Sequence, residues 1–134
     1  KIVIPHGTDL EISHHYGIEN FEKYGTCMCT LVNNDYCKKI IYQLPNQTNP
    51  EHYHKIKEET FILIKGDLVV NVDNNISNLT KGDMLTIYPY QKHSFFSKNG
   101  AIFEEISTKH NLDDSFYTDE DIQNNINRKS KIIL

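Results

Sequence analysis

Two histidines two positions apart, His52 and His54, precede a carboxylate pair, Glu58 and Glu59, within residues 51–66. On an extended strand, residues i and i+2 project from one face, so the two imidazoles can converge on a single point. Glu59 leads into Thr60-Phe61-Ile62-Leu63-Ile64, a β-branched and aromatic run that reads as the next strand. A tight reversal between the two strands brings that carboxylate back to the histidine pair. Such a donor set suits one divalent ion, and ligand type does not choose among Zn, Mn, Fe, Co and Ni. A fourth candidate ligand, His93, follows a Gly82-Asp83 turn, a five-residue strand and a turn marked by Pro89. Seven histidines in 134 residues make one His-x-His pair cheap, but not the whole spacing.

The two runs together resemble the two motifs of the cupin superfamily. The first is His-x-His, four residues, Glu, six residues, Gly, and His52, His54, Glu59 and Gly66 match it. The second is Gly, a strand, a Pro-Gly turn and His, matched by Gly82, Pro89 and His93. Tyr90 stands where the family usually has the turn glycine, a departure that touches the shape of the turn rather than the ligand. The resemblance implies an all-β, single-domain cupin, a double-stranded β-helix or jelly-roll barrel. It also implies one divalent metal ion held by His52, His54, Glu59 and His93.

The elements that would position these residues are short. Leu10 to Ser13 alternates as an edge strand, with a second extended piece at Ile2-Val3-Ile4. Ile18, Phe21 and Tyr24 recur at i, i+3 and i+6, which predicts one or two helical turns ending at Gly25. Residues 26–32 and 37–44 read as strands around an Asn33-Asn34-Asp35 turn, and 45–50 as a polar loop. Strands follow at 67–72, 76–80, 84–88, 93–97 and 101–108, with turn signals every eight to twelve residues, the pattern of a barrel or sandwich. Thr118 or Asp119 should start a short helix over 122–126, and the apolar end Ile132-Ile133-Leu134 should pack as a last strand, on the domain or on a partner. The division expected is N-terminal edge strands and short helix over 1–25, a barrel over 26–117, and a C-terminal helix and tail over 118–134.

Composition narrows the function classes. At 134 residues the chain suffices for one core. A net charge of −4 without a basic stripe argues against nucleic acid. No apolar run approaches the roughly 20 residues that span a bilayer, and residues 1–5 lack the apolar segment of a signal peptide. Cys27, Cys29 and Cys37 are an odd number without paired zinc spacing, so they read as reduced thiols on cytoplasmic strands. The chain opens without methionine, as a domain excised from a longer protein would.

Two further groups could reach the metal. Lys57 lies between His54 and Glu59, and either Glu104 or Glu105 must face inward from its strand, an alternative that periodicity leaves open. Lys38, Lys39 and Lys92 could meet an acidic sugar, although isolated lysines usually lie in solvent. Phe103-Glu104-Glu105-Ile106-Ser107-Thr108 after Lys92-His93-Ser94-Phe95 is similar to the D-lyxose isomerase branch of the cupins, which implies catalytic roles for Lys57 and Glu105. Residues 12–17, 36–39, 52–61, 104–108 and 114–117 resemble the cupin domain appended to some bacterial sialic acid synthases. What these likenesses imply is a cytoplasmic homodimer acting on a small sugar or sugar acid, beside a fused or partner synthase domain, by metal-assisted isomerase-type proton transfer. The alternatives are a non-catalytic sugar-binding module regulating a synthase and, ranked lower, an iron dioxygenase.

Overall fold

The structure, a computed structural model, describes all 134 residues. Its elements are β1 (Asp9–Ser13), a single 3-10 turn at Ile18–Asn20, β2 (Thr26–Asn33), β3 (Tyr36–Gln43), β4 (Gln47–Tyr53), β5 (Glu59–Gly66) and β6 (Leu68–Val72). After these come β7 (Asn75–Leu79), β8 (Met84–Ile87), β9 (His93–Ser97), β10 (Ala101–Thr108), β11 (Phe116–Tyr117), α1 (Glu120–Gln123) and β12 (Lys129–Ile133). Seven strands form one sheet in the order β12-β1-β2-β3-β10-β5-β8, and five form the other in the order β11-β4-β9-β6-β7. Every strand pair within the sheets is antiparallel.

The sheets close on an apolar core. Phe61 of β5, Phe95 of β9 and Phe103 of β10 meet with ring centroids 5.0–5.6 Å apart. Ile41, Leu63, Leu68, Val70, Leu79, Ile87 and Ala101 surround them. Strand alternation places one side chain in two here, as a half-buried sheet requires. On three strands the inward set turns polar towards one end. Along β5 it reads Glu59, Phe61, Leu63; along β10 Phe103, Glu105, Ser107; along β3 Cys37, Lys39, Ile41, all of them buried. The antiparallel register brings these polar ends together, with Glu105 opposite Lys39 on one side and Phe61 on the other.

Four expectations need correction. The loop foreseen at 45–50 is mostly strand, since β4 starts at Gln47 and runs through Pro50. Proline gives no ladder donor, and the pairing of β4 with β9 shifts register between Asn49 and His52, which accommodates it. Residues 2–4 form no strand, and β1 is no edge, because β12 pairs outside it from Asp9↔Ile133 to Ser13↔Lys129. The C-terminal helix lies at Glu120–Gln123, short of 126; Asp119 caps it by accepting the backbone N–H of Asp121. The C-terminal segment does form a last strand on the domain, β12 against β1, but its side chains Ile132, Ile133 and Leu134 stay exposed.

Both glycine-aspartate turns are present, with different partners. The Asp83 carboxylate accepts from Thr80, three residues back, while that of Asp67 reaches across to the backbone N–H groups of Lys98 and Asn99. Tyr90 holds φ +68°, the left-handed conformation a glycine would supply, and its N–H donates to the carbonyl of His54 at 2.7 Å. The turn thus keeps its shape despite the missing glycine.

Candidate metal centre

His52 stands near the end of β4 and His54 just beyond it; Glu59 opens β5 and His93 opens β9. All four are buried, and their donor atoms lie within 4.8 Å of one another. They come from both sheets, so closing the sandwich is what assembles the cluster. Each histidine is oriented through its other nitrogen. Nδ1 of His52 donates to the Pro50 carbonyl at 2.9 Å, Nδ1 of His54 to that of Asp114 at 2.6 Å, and Nδ1 of His93 to that of Gln91 at 2.9 Å. A carbonyl only accepts, so all three bonds place the proton on Nδ1 and leave Nε2 as a lone pair.

These lone pairs face a carboxylate. Nε2 of His93 lies 2.8 Å and Nε2 of His54 3.5 Å from Oε1 of Glu59, yet none of the three atoms has an aligned hydrogen bond. Buried acceptors directed at one another need a cation between them. The donor set of three imidazoles and one carboxylate, held by backbone carbonyls behind it, fits a divalent metal ion. Burial disfavours a charged His93, but Glu59 outweighs burial and raises its pKa. His52 moves far the other way, through burial and then the neighbouring His93 and His54, which keeps it neutral and able to ligate.

Behind the cluster runs a buried chain of charge. Nζ of Lys57 lies 3.1 Å from Oε2 of Glu59 and 3.4 Å from Oε2 of Glu105, and Nζ of Lys39 lies 4.0 Å from that same Glu105 oxygen. Burial works against the ammonium of Lys57, but Glu105 and Glu59 overcome it and raise its pKa. Glu105 is raised by burial, with Lys57 and Lys39 opposing. Glu59 ends well below the carboxylate range because Lys57 and the histidines outweigh its burial. The choice between the paired glutamates is settled: Glu105 points inward, while Glu104 points out and pairs with Lys38 at 3.2 Å.

The remaining sequence candidates separate. His14 and His15 are buried away from the cluster, bonded to Ser130 and Tyr117 respectively. The three cysteines are free, and Cys37 faces inward while Cys27 and Cys29, at the opposite parity across β2 and β3, do not join it. Two residues, Asp114 and Glu11, escaped the sequence reading, which offered Lys39 only as a contact for an acidic sugar. The Asp114 carboxylate accepts the N–H groups of Lys55, Ile56 and Lys57 at 2.9–3.2 Å, fixing the reversal between β4 and β5 while its carbonyl holds His54. Glu11, on β1, and Lys39 line the same cavity, which has about 40 Å³ of free space. For Lys39 a signal existed, because it shares the inward parity of Cys37 and Ile41. For Asp114, in a polar stretch sixty residues from His54, there was none beyond its place in one of the segments of resemblance.

Residues 40–104 match the profile described as "Cupin domain". The fold is the double-stranded β-helix found in cupins. Among solved structures, an uncharacterised Klebsiella pneumoniae protein with a double-stranded β-helix domain superposes with a TM-score of 0.63 at 18% identity, over 70% of this chain and 85% of that one. The L-ribose isomerase of Cellulomonas parahominis superposes with a TM-score of 0.74 at 12% identity, over 85% of this chain and 81% of the isomerase. In sequence the chain is 28% identical over 137 residues to the D-lyxose ketol-isomerase of Cohnella laeviribosi, covering 81% of this chain and 75% of that enzyme. Its relatives thus include sugar isomerases, and its buried His/Glu group could bind a metal. No helix is long and apolar enough to cross a membrane.

Proposed function

We propose that this protein is a metal-dependent sugar isomerase, interconverting an aldose and a ketose. The observation that carries this reading is the position of Lys57, an ammonium buried between the ligand Glu59 and a second buried carboxylate, Glu105. His52, His54, Glu59 and His93 would hold the metal, which when bound polarises adjacent sugar oxygens. Glu105 takes the proton from C2 of the aldose and returns it to C1. Lys57 gives a proton to the C1 oxygen and recovers one from the C2 hydroxyl, so the carbonyl moves by one carbon with no net gain or loss of protons. The similarity to D-lyxose ketol-isomerase supports the substrate class.

The segments similar to synthase-appended cupins support a place in nonulosonate or surface-glycan biosynthesis, with a synthase domain as fused or separate partner. Three free cysteines are consistent with a cytoplasmic setting. A homodimer is supported by apolar side chains left exposed on the larger sheet, among them Tyr42, Met84 and Ile106.

A second reading, a non-catalytic sugar sensor, is favoured by the ion pair that ties Glu105 to Lys57 at 3.4 Å, since a carboxylate held this way serves recognition as well as proton transfer. Incubating each metal-loaded form with a panel of aldoses and ketoses separates the two. The isomerase reading expects interconversion of at least one pair, lost in Glu105→Gln while metal content is retained. Normal turnover in that variant removes Glu105 from the mechanism, and no interconversion of any sugar leaves the sensor.

A further inference from the structure

The cavity wall away from the metal ligands holds a lysine with only weak protein partners. Lys39 is 3% exposed, on the inward face of β3. The nearest acceptors of its ammonium are the thioether of Met28 at 3.7 Å and Oε2 of Glu105 at 4.0 Å. No oxygen lies within hydrogen-bond distance of a group with three N–H donors. A buried ammonium left in that condition is costly, and proteins retain such groups where a ligand completes them. Burial lowers its pKa, with Glu105 opposing.

Its neighbours supply acceptors. Glu11 is buried on β1, and both contacts of its carboxylate, from Ser13 Oγ at 3.0 Å and Lys129 Nζ at 3.2 Å, fall on Oε1. Lys129, on β12, is 29% exposed in its side chain, and it lines the same cavity. We propose that Lys39, Glu11 and Ser13 form a second subsite, facing the metal cluster across the cavity, that binds hydroxyl groups of an uncharged polyhydroxy ligand. The inference rests on the sugar-handling reading above and narrows it from sugar or sugar acid to neutral sugar.

Two features select hydroxyls over a carboxylate. A hydroxyl both accepts and donates, so it can take a proton from Lys39 and give one to Glu11 or Glu105. An anion at Lys39 would lie beside both carboxylates, whose influence on that lysine is attractive for it and repulsive for the anion. The lysines (Lys39, Lys57, Lys129) and glutamates (Glu11, Glu59, Glu105) of the lining are equal in number, so the side chains around Lys39 add no net positive charge to that of an ion held on the opposite wall. Lys129 is the most exposed of the charged groups held in ion pairs at the cavity, so it stands at the side from which a ligand would enter.

The test is calorimetric titration of the metal-loaded protein with ribitol, arabinitol and xylitol, and with the matching pentonates. The pentitols cannot react, so binding is read independently of turnover. At least one pentitol should bind more tightly than its pentonate, and Lys39→Met should weaken it tenfold or more with metal content and melting temperature maintained. Glu11→Gln should weaken it several-fold and stands in if Lys39→Met does not fold. Unchanged pentitol affinity in both variants, no pentitol binding to the parent protein, or tighter binding of the pentonates overturns the subsite. Pentitol binding that depends on Lys39, without turnover of any aldose, sustains the subsite and removes the isomerase.

Discussion

At the residue scale the account turns on Lys57, whose ammonium is the shared counter-charge of two buried carboxylates. Breaking a buried ionic group by removing one member leaves uncompensated charge and costs roughly 3–5 kcal/mol. Lys57→Met should therefore destabilise the metal-free protein by about 3 kcal/mol in denaturant unfolding, and a loss below 1 kcal/mol would mean that the pair is already neutral. His15 makes a separate prediction. Its ring is 1% exposed, Nδ1 has no partner, and burial pushes its pKa down to about 4. Between that value and the ordinary 6.5, the unfolded chain holds a proton that the folded chain refuses, so stability falls as pH falls across this window. The full difference is roughly 3 kcal/mol. His15→Gln should flatten the pH 4–6.5 limb of the stability curve relative to the parent; parallel limbs would contradict it.

At the scale of elements, the two motif glycines carry unequal loads. Both have positive φ, +89° at Gly66 and +91° at Gly82. A Cβ on Gly66 would lie 1.9 Å from the carbonyl oxygen of Gly100, whereas one on Gly82 meets nothing within 4 Å. Gly82→Ala should cost about 1 kcal/mol of backbone strain, and Gly66→Ala clearly more, because β5 and the turn before β10 must separate. Equal losses in thermal melts would show that strain, and not close approach, sets both positions. These turns were legible in the sequence, as were the strands at 93–97 and 101–108, because alternation and turn residues act locally. The course of β4 was not. Pro45 and Pro50 read as loop punctuation, and only the bulge opposite β9, a tertiary feature, lets a strand run through the second of them. Periodicity left the inward turn of Glu105 open, since both parities of β10 carry apolar residues and the register with β3 decides between them; only the resemblance to D-lyxose isomerases pointed to it.

For the whole molecule, His52, His54, Glu59 and His93 come from the neighbourhood of β4, β5 and β9, strands of both sheets, so an ion held by all four would link metal binding to closure of the fold. An ion present at a thousand times its dissociation constant adds about 4 kcal/mol to stability. The melting temperature should rise on loading and fall with a chelator, and His93→Ala should abolish the rise. That His52, His54, Glu59 and His93 would gather was expected from their spacing and from the cupin resemblance, because they sit in or next to the ends of neighbouring strands. The opposite wall of the cavity was not, since Glu11, Lys39 and Lys129 meet only when β1, β3 and β12 curl around the site. The central claim is that a carbon-bound proton moves. NMR of the protein loaded with a diamagnetic ion, in deuterated water with candidate aldoses and ketoses, reads that transfer directly. Deuterium appearing at C1 or C2 of one sugar, and absent with Glu105→Gln, is the predicted result; sugar signals that broaden on binding but never exchange would contradict it.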